Sequence, residues 1–588
     1  MNQPYGVVAV FAVIVATVAV GALGLRISRT TSDFYVASRS VPARLNAAAI
    51  SGEYLSAASF LGIAGLVLAQ GVDMLWFPVG YTAGYLVLLA FVAAPLRRSG
   101  AYTLPDFAEA RLESRAVRRA AGILVVVVGW LYLVPQLQGA GLTLGALTGL
   151  PHWSGGLIVA VVVALSVAAG GMRSITFVQA FQYWLKLTAL LVPLLFLLFA
   201  WYADGRPGPA LDEPPGFRKH SQVRIDDTLT LGLDAPLRVT VTGTVDGRRH
   251  AAEEVDLAAG RHRVEAGTVL GFPAGSPVPE RSGASADFAT DSGTNTGWAE
   301  PRGRAGEEHP LYATYGLIFA TFMGAMGLPH VVVRFYTNPD GRAARRTTVV
   351  VLGLVGVFYL LAPVYGALGR VYAPDLLLTG STDTAVLMLP DRLVGGTAGD
   401  LLGALLAAGA CAAFLSTASG LTMAVAGVLT QDFLPSPRGV RHFRLAAAVA
   451  VAVPAAAHVV VQGLSVANAV GLAFAVAASS FCPLLLLGIW WRRLTAAGAV
   501  AGMVAGGGAA LTAVLATVAG RPDSGWPRAL LAWPAVWTVP LGFLTMILVS
   551  LATRKSVPAG TDAIMARLHL PEPRPPHHPT AGSWKARR

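Results

Sequence analysis

Runs of about twenty apolar residues, separated by short polar stretches, recur along most of the chain. A run of that length crosses a bilayer as a helix. The pattern predicts thirteen spans, at 5–25, 46–70, 74–96, 121–149, 154–170, 175–203, 311–334, 347–370, 401–431, 445–460, 464–490, 497–520 and 532–553. Two polar regions interrupt the series. Residues 204–309 form an insert in which the alternation of "LRVTVTGTVDG" (237–247) predicts short β-strands, while 274–297 reads as a flexible loop. Residues 554–588, rich in proline towards their end, read as a disordered tail.

The expected fold class is therefore an all-α polytopic membrane protein. Its organisation is helices 1–6 over residues 1–203, the insert at 204–309 as a small β-rich unit, helices 7–13 over 310–553, and the tail at 554–588. Composition agrees: of 588 residues 54% are hydrophobic and 13% charged, where soluble domains carry about 25% charged residues. The N-terminal "MNQPYGVV" lacks the basic region of a cleaved signal, so the first span is expected to stay. Arginines gather in alternate loops: Arg26, Arg29, Arg39 and Arg44, then Arg97 to Arg119, then Arg342 to Arg346, and so on to Arg554. The basic loops are cytoplasmic by the positive-inside rule, which puts the N-terminus and the insert outside and the C-terminus inside. The net charge of +12 then reads as a topology signal, and no nucleic-acid partner is implied. The expected location is the cell (plasma) membrane of a bacterium, crossed many times; oligomeric state is not legible.

Some spans are too polar for passive anchors. "ISGEYLSAASFLG" (50–62) places Glu53 beside Tyr54, Ser51, Ser56, Ser59 and two glycines. A charge at membrane depth costs roughly 2.5–3.5 kcal/mol on insertion scales, so it marks a cavity, a partner or water. The ninth span carries Ser416, Thr417 and Ser419 in "ACAAFLSTASGLTMAVAG" (410–427), and the seventh carries "MGAMGLPH" (323–330), where two glycines and Pro329 weaken the helix. Taken singly, each suits tight helix packing. Taken together, with spans two to six (46–203) and seven to eleven (310–490) as repeats of five, the "SGEYLS" and "MGAMGLP" runs fall in the first helix of each repeat. An odd repeat length inverts the second copy, the arrangement of secondary transporters whose broken helices frame a midplane site. Freed carbonyls there are hard ligands for a small cation, and half-helix N-termini favour an anion. Within the spans there is no paired acidic cluster, zinc-type histidine motif or nucleophile elbow, which argues against an enzyme. Cys411 and Cys482 lie in apolar spans and read as small buried hydrophobes.

Four motifs in order, "SDFYVASRSVPARLNAAAISGEYLSAASFLGIAG", "AAGGMRSITFVQAFQ", "GLPHVVVRFYTNPDGRAARR" and "AAFLSTASGLTMAVAGVLTQDF", resemble the sodium:solute symporter family. Within it they look most like the cation/acetate permease branch, which carries acetate and related short monocarboxylates. The resemblance implies a sodium ion between the second and ninth spans, held by the carbonyls of Gly52, Leu55 and Ala413 and the hydroxyls of Ser416 and Thr417; no other cofactor is implied. It also implies a small organic anion near Glu53, Tyr54, Ser59, Gln136, Gln138, Met323, Met326 and Gly327. At Glu53 aspartate is the expected form, and three roles stay open: tuning the ion site, coupling to protons, or pairing with an arginine at the cytoplasmic end. His330 and Arg334 fall near that end of the seventh span. Lys186 is a second charge at depth, a candidate partner for Glu53 or for the solute carboxylate. Alternatives are another solute such as pyruvate, propionate, proline or a sugar, or a transporter-like sensor or scaffold using the 204–309 insert.

Overall fold

A computed structural model describes residues 4–27, 37–282, 295–301, 308–433, 440–460, 466–520 and 524–571. The chain is a bundle of long apolar helices: α1 (Pro4–Ile27), α2 (Ala43–Tyr54), α3 (Ile63–Gln70), α4 (Trp76–Val87), α5 (Arg115–Thr148), α6 (His152–Ala203), α7 (Pro310–Gly327), α8 (Pro329–Val333), α9 (Gly341–Tyr372), α10 (Gly396–Val428), α11 (Val440–Val460), α12 (Val466–Trp490), α13 (Ala535–Ala552) and α14 (Thr561–His569), with shorter turns between them. Among the described residues, eleven continuous helical stretches are long and apolar enough to cross a membrane. Two of these each cover a pair of spans expected from the sequence. The stretch from Ala58 to Arg98 bends at Gly71, and α6, 52 residues long, bends at Gly171. Gly171 has φ 59°, a left-handed backbone that glycine adopts without a Cβ penalty. The sequence puts the boundary between spans five and six at that point.

Both first helices of the expected repeats are interrupted. α2 stops at Tyr54, Leu55 is extended (φ −75°, ψ 90°), and the span resumes through a wide turn at Ala58–Gly62 into α3. α7 stops at Gly327, Leu328 is extended (φ −70°, ψ 113°), and Pro329 opens α8. Proline suits a first helical position because its missing N–H has no partner there anyway. By contrast, α10 runs unbroken past both interruptions and is buried along nearly its whole length. Its Ala, Gly and Ser residues let neighbouring backbones approach closely.

The insert contains a seven-stranded antiparallel sheet built from β1 (Ser221–Arg224), β2 (Leu229–Leu233), β3 (Leu237–Val245), β4 (Arg248–Leu257), β5 (Gly260–Val264), β6 (Val269–Phe272) and β7 (Glu280–Ser282). The path runs β1-β6-β3-β5-β2-β7, with β4 beside β3. Val239, Val241, Val245, Leu231, Val264, Leu270 and Phe272 fill its core, joined by Leu378 from the helical part. The sheet is tied down by Arg281, whose Nη1 donates to Thr379 O at 2.8 Å. A second tie is Trp298, whose Nε1 donates to Val67 O on α3 at 2.6 Å. Much of the loop expected over 274–297 falls outside the described residues.

The tail departs from expectation. Residues 554–588 read as disordered, yet Arg554–Ser556 forms a turn and Thr561–His569 forms α14. Met565 and Leu568 are buried, and Arg567 Nε donates to Arg98 O at 3.1 Å. Two apolar side chains spaced three apart share one face of this helix, which sits against the segment carrying Arg97 and Arg98. Residues 572–588, with His577 and His578, lie outside the described residues.

Candidate functional site

Interrupting α2 frees the carbonyls that would have bonded the next helical turn. Each of three finds a side chain from another span. Thr417 Oγ1 on α10 donates to Glu53 O at 2.6 Å, and Ser416 Oγ to Gly52 O at 2.7 Å. Lys186, on α6, donates its ammonium to Leu55 O at 2.7 Å, to Ser416 Oγ at 2.8 Å and to Gly52 O. Ser416 Oγ also lies 3.1 Å from Ala413 O. An ammonium has three donors and no acceptor, and here three oxygens meet them. Lys186 is fully buried.

Beside this cradle lies a buried ion pair. Arg334, in the turn after α8, donates Nε to Glu53 Oε2 at 2.6 Å; both side chains are excluded from solvent. Its Nη1 donates to Thr176 Oγ1 at 2.9 Å and its Nη2 to Gln179 Oε1. Gln179 Nε2 in turn donates to Ser416 O at 2.8 Å. Gln179 and Thr176 thus hold the guanidinium in place and tie it to α10. Asn46 Nδ2 donates to Arg334 O at 3.2 Å. Of the roles left open for Glu53, pairing with an arginine is the one the geometry displays. Lys186 is not bonded to the Glu53 carboxylate; it reaches the carbonyls on either side of it.

On the other side of the break is a packed aromatic cluster. Tyr54 meets Tyr85 edge to face at 4.7 Å between ring centroids and Tyr81 at 6.1 Å, and its hydroxyl donates to Tyr81 O at 3.0 Å. Phe474 of α12 packs on Tyr81 at 4.9 Å, and Tyr132 of α5 packs on Phe474 and on His330. Ser59 Oγ and Tyr359 Oη share a hydrogen bond of 2.8 Å. Gln136 Oε1 accepts from Ala57 N at 3.0 Å, capping the restarted span. Among the described residues, the hydroxyls of Ser51, Tyr81 and Tyr85, Glu53 Oε1 and both ring nitrogens of His330 are buried without a hydrogen-bond partner. Buried polar atoms of this kind are costly to leave unmade, so a cluster of them points to a small polar guest or water.

The residues expected to line a solute divide into two groups. Glu53, Tyr54, Ser59 and Gln136 gather at the break in the second span. Met323 and Gly327 face α12: Met323 lies against Cys482, with sulfurs 3.6 Å apart, and Gly327 abuts Ala477. Met326 is buried in the core. Gln138 lies on α5, two residues past Gln136. Missed by sequence reasoning were Thr176, Gln179, Tyr132 and Tyr359. Their only signal is polarity within otherwise apolar spans.

Gly420 on α10 sits against the Glu53 carboxylate, so closely that a Cβ there would overlap Oε1. Gly420→Ala should push the carboxylate off Arg334 and lower transport by about tenfold, less than the roughly hundredfold that about 1 Å of misplacement costs, because a side-chain end can turn partly aside. Initial uptake rates per quantity of monodisperse protein check this; an unchanged rate would mean that the pair is not held where transport needs it.

Two broken helices packed on an unbroken one, with freed carbonyls and charges at depth, define a secondary transporter. The sequence pattern of the sodium:solute symporter family matches residues 34–203 and 294–506, and the chain belongs to that family. It is similar to a symporter of Cupriavidus necator (29% identical, covering 92% of this chain and 91% of the relative) and to the symporter YwcA of Bacillus subtilis (28%, 88% of each). A relative named monocarboxylic acid transporter, from Corynebacterium glutamicum, is 28% identical over 88% of this chain and 87% of its own. Among solved structures, a Na+-coupled sialic acid symporter in a substrate-bound outward-open state aligns with a TM-score of 0.58 at 14% identity, over 92% of this chain and 98% of that one. That likeness concerns the fold. The chain is a multi-pass membrane protein of a family of transporters with bacterial members.

Proposed function

We propose that this chain is a cation-linked symporter that imports acetate or a related short-chain monocarboxylate by alternating access. The observation that carries the reading is the charge balance at the buried centre: Lys186 and Arg334 face a single acid, Glu53. One positive charge is left over, and a monoanionic solute neutralises it. The aromatic cluster with its unpartnered hydroxyls is the proposed solute site. The carbonyls of Gly52, Leu55 and Ala413 with the hydroxyls of Ser416 and Thr417 are the proposed cation cradle, the position at which the family's sodium is expected. The relative named for monocarboxylic acids supports this solute class; fold alone carries no solute identity.

In this reading the Glu53–Arg334 pair fastens the broken second span to the segment after the broken seventh. Opening the centre to one side requires those two segments to separate, and solute binding shifts the balance only through its different affinity for the open and closed arrangements. The experiment is uptake of radiolabelled acetate into proteoliposomes under an imposed sodium or proton gradient, with competitors. Accumulation blocked by excess propionate or pyruvate, and untouched by proline or galactose, is expected. Block by proline or a sugar alone would move the solute class.

A further inference from the structure

The cradle expected to hold sodium is already engaged by a cation of the chain itself. Lys186 Nζ sits on Gly52 O, Leu55 O and Ser416 Oγ, three of the five oxygens assigned to the ion. A fourth, Thr417 Oγ1, spends its proton on Glu53 O, and the fifth, Ala413 O, lies against Ser416 Oγ. The ammonium links the break in the second span to α6 and α10, as a bound ion would. Sodium and this ammonium are like charges seeking the same carbonyls, and among the described residues the hydrogen-bond partners of Lys186 Nζ are two carbonyls and a hydroxyl. The one acid near enough to act on Lys186, Glu53, is committed to Arg334. The neighbouring hydroxyls are turned elsewhere, Tyr183 Oη to Leu354 O and Tyr365 Oη to Leu190 O.

We infer that Lys186 supplies, from within the chain, the cation that this cradle holds, so that transport does not draw on sodium at this position. The inference rests on the reading of the chain as a transporter of its family. A tethered amine of this kind stays in the protein through every cycle, whereas a bound ion must enter and leave. In the sequence this cation is the single lysine of the run "FQYWLKLTALL" (181–191) in the sixth span.

The test compares purified full-length wild type with Lys186→Met, a variant of similar length without the charge, each in sodium, potassium and choline chloride at equal ionic strength. For wild type, melting temperature and initial acetate uptake are expected to be the same in all three salts. For Lys186→Met, sodium alone is expected to raise the melting temperature by several degrees, and Ser416→Ala added to it should remove that rise. Should Lys186→Met fail to fold, the wild-type comparison still decides: a saturable, sodium-specific rise in wild type that Ser416→Ala abolishes overturns the inference. Solute counterflow by wild type without any ion gradient reports separately on the monocarboxylate reading. Failure there sinks the solute assignment while the salt comparison still judges Lys186.

Discussion

Gly52→Ala is expected to reduce solute transport by about a hundredfold or more, the scale on which roughly 1 Å of misplacement acts. The ideal Cβ of residue 52 would overlap Gln179 O and lie 3.1 Å from its carbonyl carbon and 3.3 Å from Tyr183 Cβ. The first two obstacles are backbone and cannot rotate aside, so α2 and α6 must separate. Overpacking of this kind costs about 1–3 kcal/mol, and the movement carries Gly52 O away from Lys186 and Ser416. The cradle and the Arg334 support through Gln179 would open together. Gly353→Ala serves as the control, since nothing lies within 4 Å of its Cβ position; it should transport like wild type. The comparison is made on initial rates from equal amounts of monodisperse protein. Equal rates for the two variants would mean that close approach of these spans is irrelevant to the transport cycle.

Arg334→Ala should have the next largest effect, and mainly on folding. The Glu53 carboxylate is 1% exposed and its ion-pair partner lies entirely inside the protein. Removing one member of a buried pair costs about 3–5 kcal/mol, because the other charge is stranded. Lower yield of monodisperse protein and a lower melting temperature are expected. Glu53→Gln combined with Arg334→Met removes both charges and should recover most of that loss, while leaving transport absent because the tie between the two broken spans is gone. If the double variant melts no higher than Arg334→Ala, stranded charge is the wrong explanation and lost packing of the guanidinium the better one.

The helix breaks were legible because glycine, proline and hydroxyl residues stood in runs otherwise long enough to cross a bilayer. "SGEYLS" stops α2 at Tyr54 and "MGLPH" stops α7 at Gly327. The alternation of 237–247 likewise became β3. Other features were out of reach because they depend on where a side chain points at depth. Lys186 stood out as a charge, but nothing in its span of apolar neighbours told which of the buried oxygens, 131 to 230 residues away, it would meet. Thr176 and Gln179 looked like ordinary polar residues of a span until Arg334, 155 residues from Gln179, was brought beside them. α14 was missed for the opposite reason: in a nine-residue helix rich in charge, Met565 and Leu568 give too short an apolar stripe to outweigh the proline-rich sequence that follows.

The Glu53–Arg334 pair also joins the two interrupted spans. It connects α2 to the turn after α8, the two segments that flank the breaks, while α10 spans both without interruption. On the proposed alternating-access reading, release of this tie would let the two interrupted helices move apart.

Counterflow of acetate through the purified wild type tests the central claim most directly. Proteoliposomes are loaded with unlabelled acetate and diluted into trace radiolabelled acetate, with the same salt on both sides, so that only a carrier that binds acetate and alternates can concentrate the label. The account predicts a transient accumulation several times above equilibrium, matched by propionate or pyruvate inside and absent with Gly52→Ala. No overshoot with any short monocarboxylate, together with a clear one for proline or a sugar, would contradict it.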